Sequence, residues 1–97
     1  MADFLLLMHG DVTAPEDAAA WGAYLAKLRA AGVFEGGSAI GTGACVRKHG
    51  EPGALATHLT GFVRITADDL AHAQQWLAGN PVFEAGGTIE IRELPRQ

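Results

Sequence analysis

The sequence lacks most of what would staple, insert or charge-couple a small protein. It has one cysteine, Cys45, among 97 residues, which excludes an intramolecular disulfide and fits a reducing compartment. No apolar run approaches the roughly 20 residues that span a bilayer. The apolar stretch near the N-terminus has neither the basic flank nor the small-residue cleavage site of a secretory signal. A cytoplasmic protein away from membranes is therefore expected. Seven basic residues against eleven acidic ones leave a net charge of −4. The basic residues are scattered, which argues against a nucleic-acid surface. His9, His49, His58 and His72 stand far apart, and no Cys or His pair has zinc-site spacing. Neither a metal nor a cofactor is expected.

What remains is the composition of an ordinary globular chain, 48% hydrophobic and 19% charged. One domain, 1–97, is expected, near the size where a single core is adequate but not generous. The run from Phe4 to His9, closed by Gly10-Asp11, has strand length and no polar alternation. It reads as a central strand covered on both sides. The first helix is expected from Pro15 to Ala31, with Trp21, Tyr24, Leu25 and Leu28 on its apolar face and Gly32 as its stop.

Among the glycines that follow, a short strand is expected at Val33–Glu35, then a kink, then a second segment from Ala44 to Lys48. Ala54 to His58 reads as a minor hairpin arm. Leu59 to Thr66 alternates as a strand, with Val63 and Ile65 on one face and Phe62 and Arg64 on the other. Asp68-Asp69 opens a second helix carrying Leu70, Ala73, Trp76 and Leu77, ended by Gly79-Asn80-Pro81. Val82 to Gly87 is a connector. Thr88 to Leu94 is the last strand, with Ile89 and Ile91 opposed to Glu90 and Arg92.

This order is the split βαβ, ferredoxin-like pattern. The fold class is α+β, a βαββαβ sandwich with an antiparallel-containing sheet and two helices on one face. The first and last strands are expected to be antiparallel neighbours. The first strand and Leu59–Thr66 are expected to run side by side in the same direction. His9, Thr66 and Thr88 then fall toward one edge, with Asp11, Arg64 and Glu90 nearby. The face away from the helices carries Phe62, Arg64, Glu90 and Arg92, and such a mixed face suggests cover by a second copy. A homodimer packed sheet to sheet, with a partly polar cleft, is expected.

His9 is the candidate for proton transfer, since imidazole titrates near working pH and can pair with Asp11 or Glu90. The alternative is a strand-end histidine bonding a backbone carbonyl. Arg64 has the forked donors that clamp a carboxylate or phosphate, or it forms a salt bridge with Glu90 across the sheet or dimer. His58, at the other end of its strand from Arg64, is left out of the His9 group. His49 and His72 read as surface residues, Cys45 as an inert, partly buried thiol, and Trp21 and Trp76 as packing. Gly36 and Gly41 have phosphate-loop separation, but Thr42 stands where such a loop needs lysine.

Several segments together resemble the YCII-related family, particularly its DGPF-type branch. They are Phe4 to Asp11, Trp21 with Leu28 to Val33, Gly36 to Gly41, Gly61-Phe62, Asp69 to Trp76 before Asn80-Pro81, and Gly87 to Leu94. The resemblance implies a ferredoxin-like fold that dimerises into an α+β barrel with a cleft between sheets. It implies no assigned activity for most members. Some relatives look enzymatic, with a His–Asp pair proposed for catalysis and a dehydrochlorinase among them. Many of the DGPF branch are encoded beside alternative sigma factors. The sequence departs from the pattern twice: Glu51 to His58 replaces the Asp-Gly-Pro-Phe signature, and Asn80-Pro81 replaces the family's Asp-Pro.

The expected function is that of a homodimer holding a small molecule, with anions among the candidates, in a cleft lined by His9, Arg64, Phe62, Glu90 and Arg92. One alternative is a lyase- or hydrolase-type enzyme using His9 as general acid or base with Asp11. A second is a regulatory interaction module linked to transcription.

Overall fold

A computed structural model describes residues 1–96. The elements in chain order are β1 (Ala2–His9), α1 (Ala20–Ala30), β2 (Phe34–Ala39), β3 (Leu59–Ala67), α2 (Leu70–Gln75), α3 (Pro81–Glu84) and β4 (Ile89–Leu94). The strands form one sheet in the order β2-β3-β1-β4. This is a small α+β fold, consistent with the ferredoxin-like class.

Every neighbouring pair is antiparallel, including β1 with β3: Ala2 lies opposite Ala67, and His9 opposite Leu59. The expectation that these two strands share a direction is therefore corrected. A helical crossover returns the chain in its original direction, so β2 runs with β1. The connection from β2 to β3 has no helix and reverses the chain. Strand β3, inserted between β1 and β2, must then oppose both.

The glycine-rich segment also folds differently from its expected division. Strand β2 is continuous, with a register shift between Phe34 and Gly37. Gly36 takes φ +122°, and a Cβ on Gly37 would stand 2.6 Å from the carbonyl oxygen of Phe62. The glycines thus form a bulge that keeps the strand paired rather than breaking it. Neither Ala44–Lys48 nor Ala54–His58 forms a strand; both lie in the exposed segment 40–58. Cys45 in that segment is exposed, not partly buried.

Helix α1 starts later than Pro15. The Asp17 carboxylate accepts from Ala19 N–H at 3.1 Å, a local bond that competes with helical pairing. Gly32 at φ +73° ends the helix, with Val33 N–H reaching back to Leu28 C=O. Asp69 caps α2 by accepting from His72 N–H at 2.8 Å. The supposed connector holds a third helix, α3, so the helix count of two is also corrected. Asn80 caps it, accepting from Val82 and Phe83 N–H at 3.0 and 3.1 Å, with Pro81 in the first turn.

The core lies on one side of the sheet. Phe4, Leu6 and Met8 of β1 and Val63 and Ile65 of β3 pack with Tyr24, Leu28, Ala73, Leu77 and Val82. Trp21, Trp76, Ile89 and Ile91 pack partly buried against that cluster. Tyr24 donates its hydroxyl to Trp76 C=O at 2.8 Å, and Lys27 donates to Ala78 C=O, fastening α1 to the chain between α2 and α3. Burial pushes the Tyr24 hydroxyl pKa up.

Candidate functional site

Alternation along β1 sends Asp3, Leu5, Leu7 and His9 to the face away from the helices. Directly opposed residues of an antiparallel ladder share a face, so the register fixes the rest. Leu5 is flanked by Arg64 on β3 and Arg92 on β4. Leu7 is flanked in the same way by Phe62 and Glu90. Leu5, Leu7 and Phe62 are half-buried in the single chain rather than covered on both sides.

The two ends of this face differ in chemistry. At one end Asp3, only 9% exposed, receives a forked pair of bonds from Arg96 at 2.9 and 3.1 Å. Arg64 stands farther off, 3.5 Å from the same carboxylate. The Arg96 bond, with help from Arg64, holds the Asp3 carboxyl below its ordinary value. Thr66 belongs to this end, opposite Asp3. It had been expected beside His9, and the reversed strand direction moves it away together with Arg64.

At the other end His9 Nε2 lies 3.0 Å from Glu90 Oε1, and Arg92 donates to Glu90 Oε2 at 3.1 Å. The His9 bond first, and Arg92 next, hold the Glu90 carboxyl below its ordinary value. His9 therefore partners a side-chain carboxylate. Asp11 lies nearby but is committed elsewhere: its two oxygens accept from Thr88 N–H at 2.8 Å and Thr88 Oγ1–H at 2.6 Å. Those bonds lower the Asp11 pKa and fasten the start of β4.

His58, left out on the parallel-strand reading, joins His9. Its ring meets that of His9 edge-on, with centroids 4.7 Å apart. Gly10 N–H donates to His58 C=O at 2.8 Å, and His9 N–H to Thr88 C=O at 3.0 Å, so backbone bonds hold this corner together. The element order contained the signal: a helix-free connection before β3 reverses that strand and carries its first residues to His9. Donor atoms of His9, His58 and Glu90 lie within 4.8 Å of one another. Sequence spacing gave no hint of a ligand set because the three residues come from three different segments.

A cavity of about 380 Å³ lies on the helix side of the sheet, lined by Met8, Trp21, Leu25, Phe34 and Val63 among others. Its one ionisable lining group, Glu16, accepts from the Trp21 indole N–H at 2.8 Å. This apolar space is separate from the polar face carrying His9, Arg64, Phe62, Glu90 and Arg92.

No helix among the described residues is long and apolar enough to cross a membrane. No curated protein matches the chain. The family model of the YCII-related domain matches residues 7–96, from the middle of β1 to beyond the end of β4. The protein belongs to the YCII-related domain family.

Proposed function

We propose that this YCII-related protein is a cytoplasmic homodimer, packed through its helix-free sheet faces, that holds a small anionic molecule. The observation that carries this reading is the row Arg64–Leu5–Arg92. It sets a guanidinium-bearing side chain on either side of a half-buried apolar centre. Their side chains remain 47% and 67% exposed. Arg96 already engages both oxygens of Asp3, which leaves Arg64 donors for a carboxylate or phosphate. The neighbouring Leu7 and Phe62 supply apolar surface for a second copy to cover.

Thermal shift with a panel of small carboxylates and phosphates tests the seat, since a ligand of the folded state raises Tm. A rise in wild type that shrinks in both Arg64→Ala and Arg92→Ala is expected. An undiminished rise in both variants, or no rise with any anion, would overturn the seat. Light scattering tests the assembly, and a stable monomer at working concentration would sink it.

A second reading rests on the 3.0 Å His9–Glu90 contact. A carboxylate that orients an imidazole is the arrangement used for general acid–base chemistry, here with Glu90 in the role first considered for Asp11. If this reading holds, His9→Ala loses turnover on an identified substrate while keeping its circular dichroism spectrum. Retained turnover would exclude it.

A further inference from the structure

The corner formed by His9, His58 and Glu90 contains more than a proton-transfer pair requires. Two imidazoles and a carboxylate converge there from β1, from the residue before β3 and from β4. His58 meets the His9 ring edge-on, and no hydrogen bond joins the two rings among the described residues. We propose that these three side chains bind one divalent transition-metal ion of the zinc class. Two His nitrogens and one carboxylate oxygen suit such an ion, and three protein donors leave a further position for water or an anion.

The geometry requires little adjustment. Donors around a tetrahedral zinc, with bonds of about 2.0–2.1 Å, stand about 3.4 Å apart. Here the His9–Glu90 pair is at 3.0 Å and all three donor atoms lie within 4.8 Å. His58 is exposed, so its ring is free to rotate inward, while its backbone is held by Gly10 N–H. The outer contacts also fit. Arg92 holds the second oxygen of Glu90, the kind of support that orients a ligating carboxylate. Thr88 keeps Asp11 occupied, leaving the donor set at two imidazoles and one carboxylate.

The inference does not depend on the anion seat. Leu5 and His9 are four residues apart on β1, about 13 Å along the strand, and neither Arg64 nor Arg92 is a donor here; Arg92 touches this corner only through the second oxygen of Glu90. It does compete with the acid–base reading, because a metal ion would take the place of the proton between His9 and Glu90.

The test is titration of chelator-treated, full-length protein with Zn²⁺ by calorimetry and with Co²⁺ by visible absorption. Wild type is expected to bind one ion per chain and to give the ligand-field bands of low-coordinate Co²⁺. His58→Ala and Glu90→Gln are expected to weaken Zn²⁺ binding by at least about tenfold and to lose the Co²⁺ bands. His49→Ala, altered in the exposed 40–58 segment, is expected to bind as wild type does. Circular dichroism identifies any variant that has unfolded, and the exposed position of His58 makes His58→Ala the variant least disturbing to the fold. Absence of binding in wild type, or binding unchanged in folded His58→Ala, would overturn the proposal. Neither result bears on the Arg64 and Arg92 thermal shifts.

Discussion

On the helix side of β1, Phe4, Leu6 and Met8 are almost wholly shielded from solvent. On the other side Leu5, Leu7 and His9, which alternate with them, are only half-buried. The same strand therefore serves two surfaces. One is closed by the chain's own helices, with Tyr24 and Lys27 fastening α1 over it. The other carries apolar side chains in its middle and charged groups around them, among which Asp3 is bonded to Arg96, and Glu90 to His9 and Arg92. A single short chain has enough helix to cover one face of a four-stranded sheet. The alternation of β1 thus separates a closed apolar face from an open mixed one, and substitutions on its two sides should differ in kind.

The largest expected effect is on the closed side. Leu6→Ala removes a side chain that is 0% exposed at the centre of the core and should cost about 2–5 kcal/mol of unfolding free energy. Urea denaturation measures it, and a loss no larger than that of Leu7→Ala would erase the distinction between the faces. Leu7→Ala is the matched change one residue along. For a monomer it should cost distinctly less, because Leu7 is half-buried. For a dimer its cost should depend on protein concentration, since association stabilises the folded state by mass action. Melting curves over a range of concentrations separate the two cases.

The smallest effect concerns pH and the charged end of the open face. Asp3 has a carboxyl pKa below its ordinary 3.8, chiefly through Arg96. A carboxylate depressed in the folded state contributes stability above its unfolded pKa and loses it as pH falls through the folded value. Wild type should therefore weaken as acid is added below about pH 4, and Asp3→Asn should show a shallower acid limb. Asp11 and Glu90, lowered by Thr88 and His9 respectively, act in the same direction, so the limb should flatten without vanishing. Denaturant midpoints from pH 7 to pH 3 provide the comparison, and identical slopes would contradict it.

The periodic elements were legible without coordinates because periodicity is local. The helix faces of Tyr24, Leu28 and Ala73, and the alternation of Val63 and Ile65 against Phe62 and Arg64, follow from side-chain spacing and are matched by burial. Boundaries were less legible. Asp17 delays α1 by capturing a backbone N–H, Asn80 builds a short helix inside an apparent connector, and Gly36 and Gly37 produce a bulge within one paired strand where a kink between two segments was expected. Each outcome depends on which hydrogen bond wins among near neighbours, and composition does not rank them. Of the candidate site residues, His9, Glu90 and Arg92 lie together as expected, while Arg64 stands with Asp3 toward the far end and His58, which was not grouped with His9, lies beside it. A single strand direction accounts for both.

By itself the sequence determined the α+β class, the six expected strands and helices that recur in the fold, and which side chains share a face, since all of these follow from periods of 2 and 3.6 along one chain. It also excluded an intramolecular disulfide, because Cys45 has no second cysteine to pair with. Only the tertiary structure decided that β3 opposes β1, and hence that His58 rather than Arg64 stands beside His9 and Glu90. The reason is physical: face membership is a property of one strand, whereas the company a side chain keeps depends on the direction and register of its neighbours, which backbone pairing across the whole sheet sets at once.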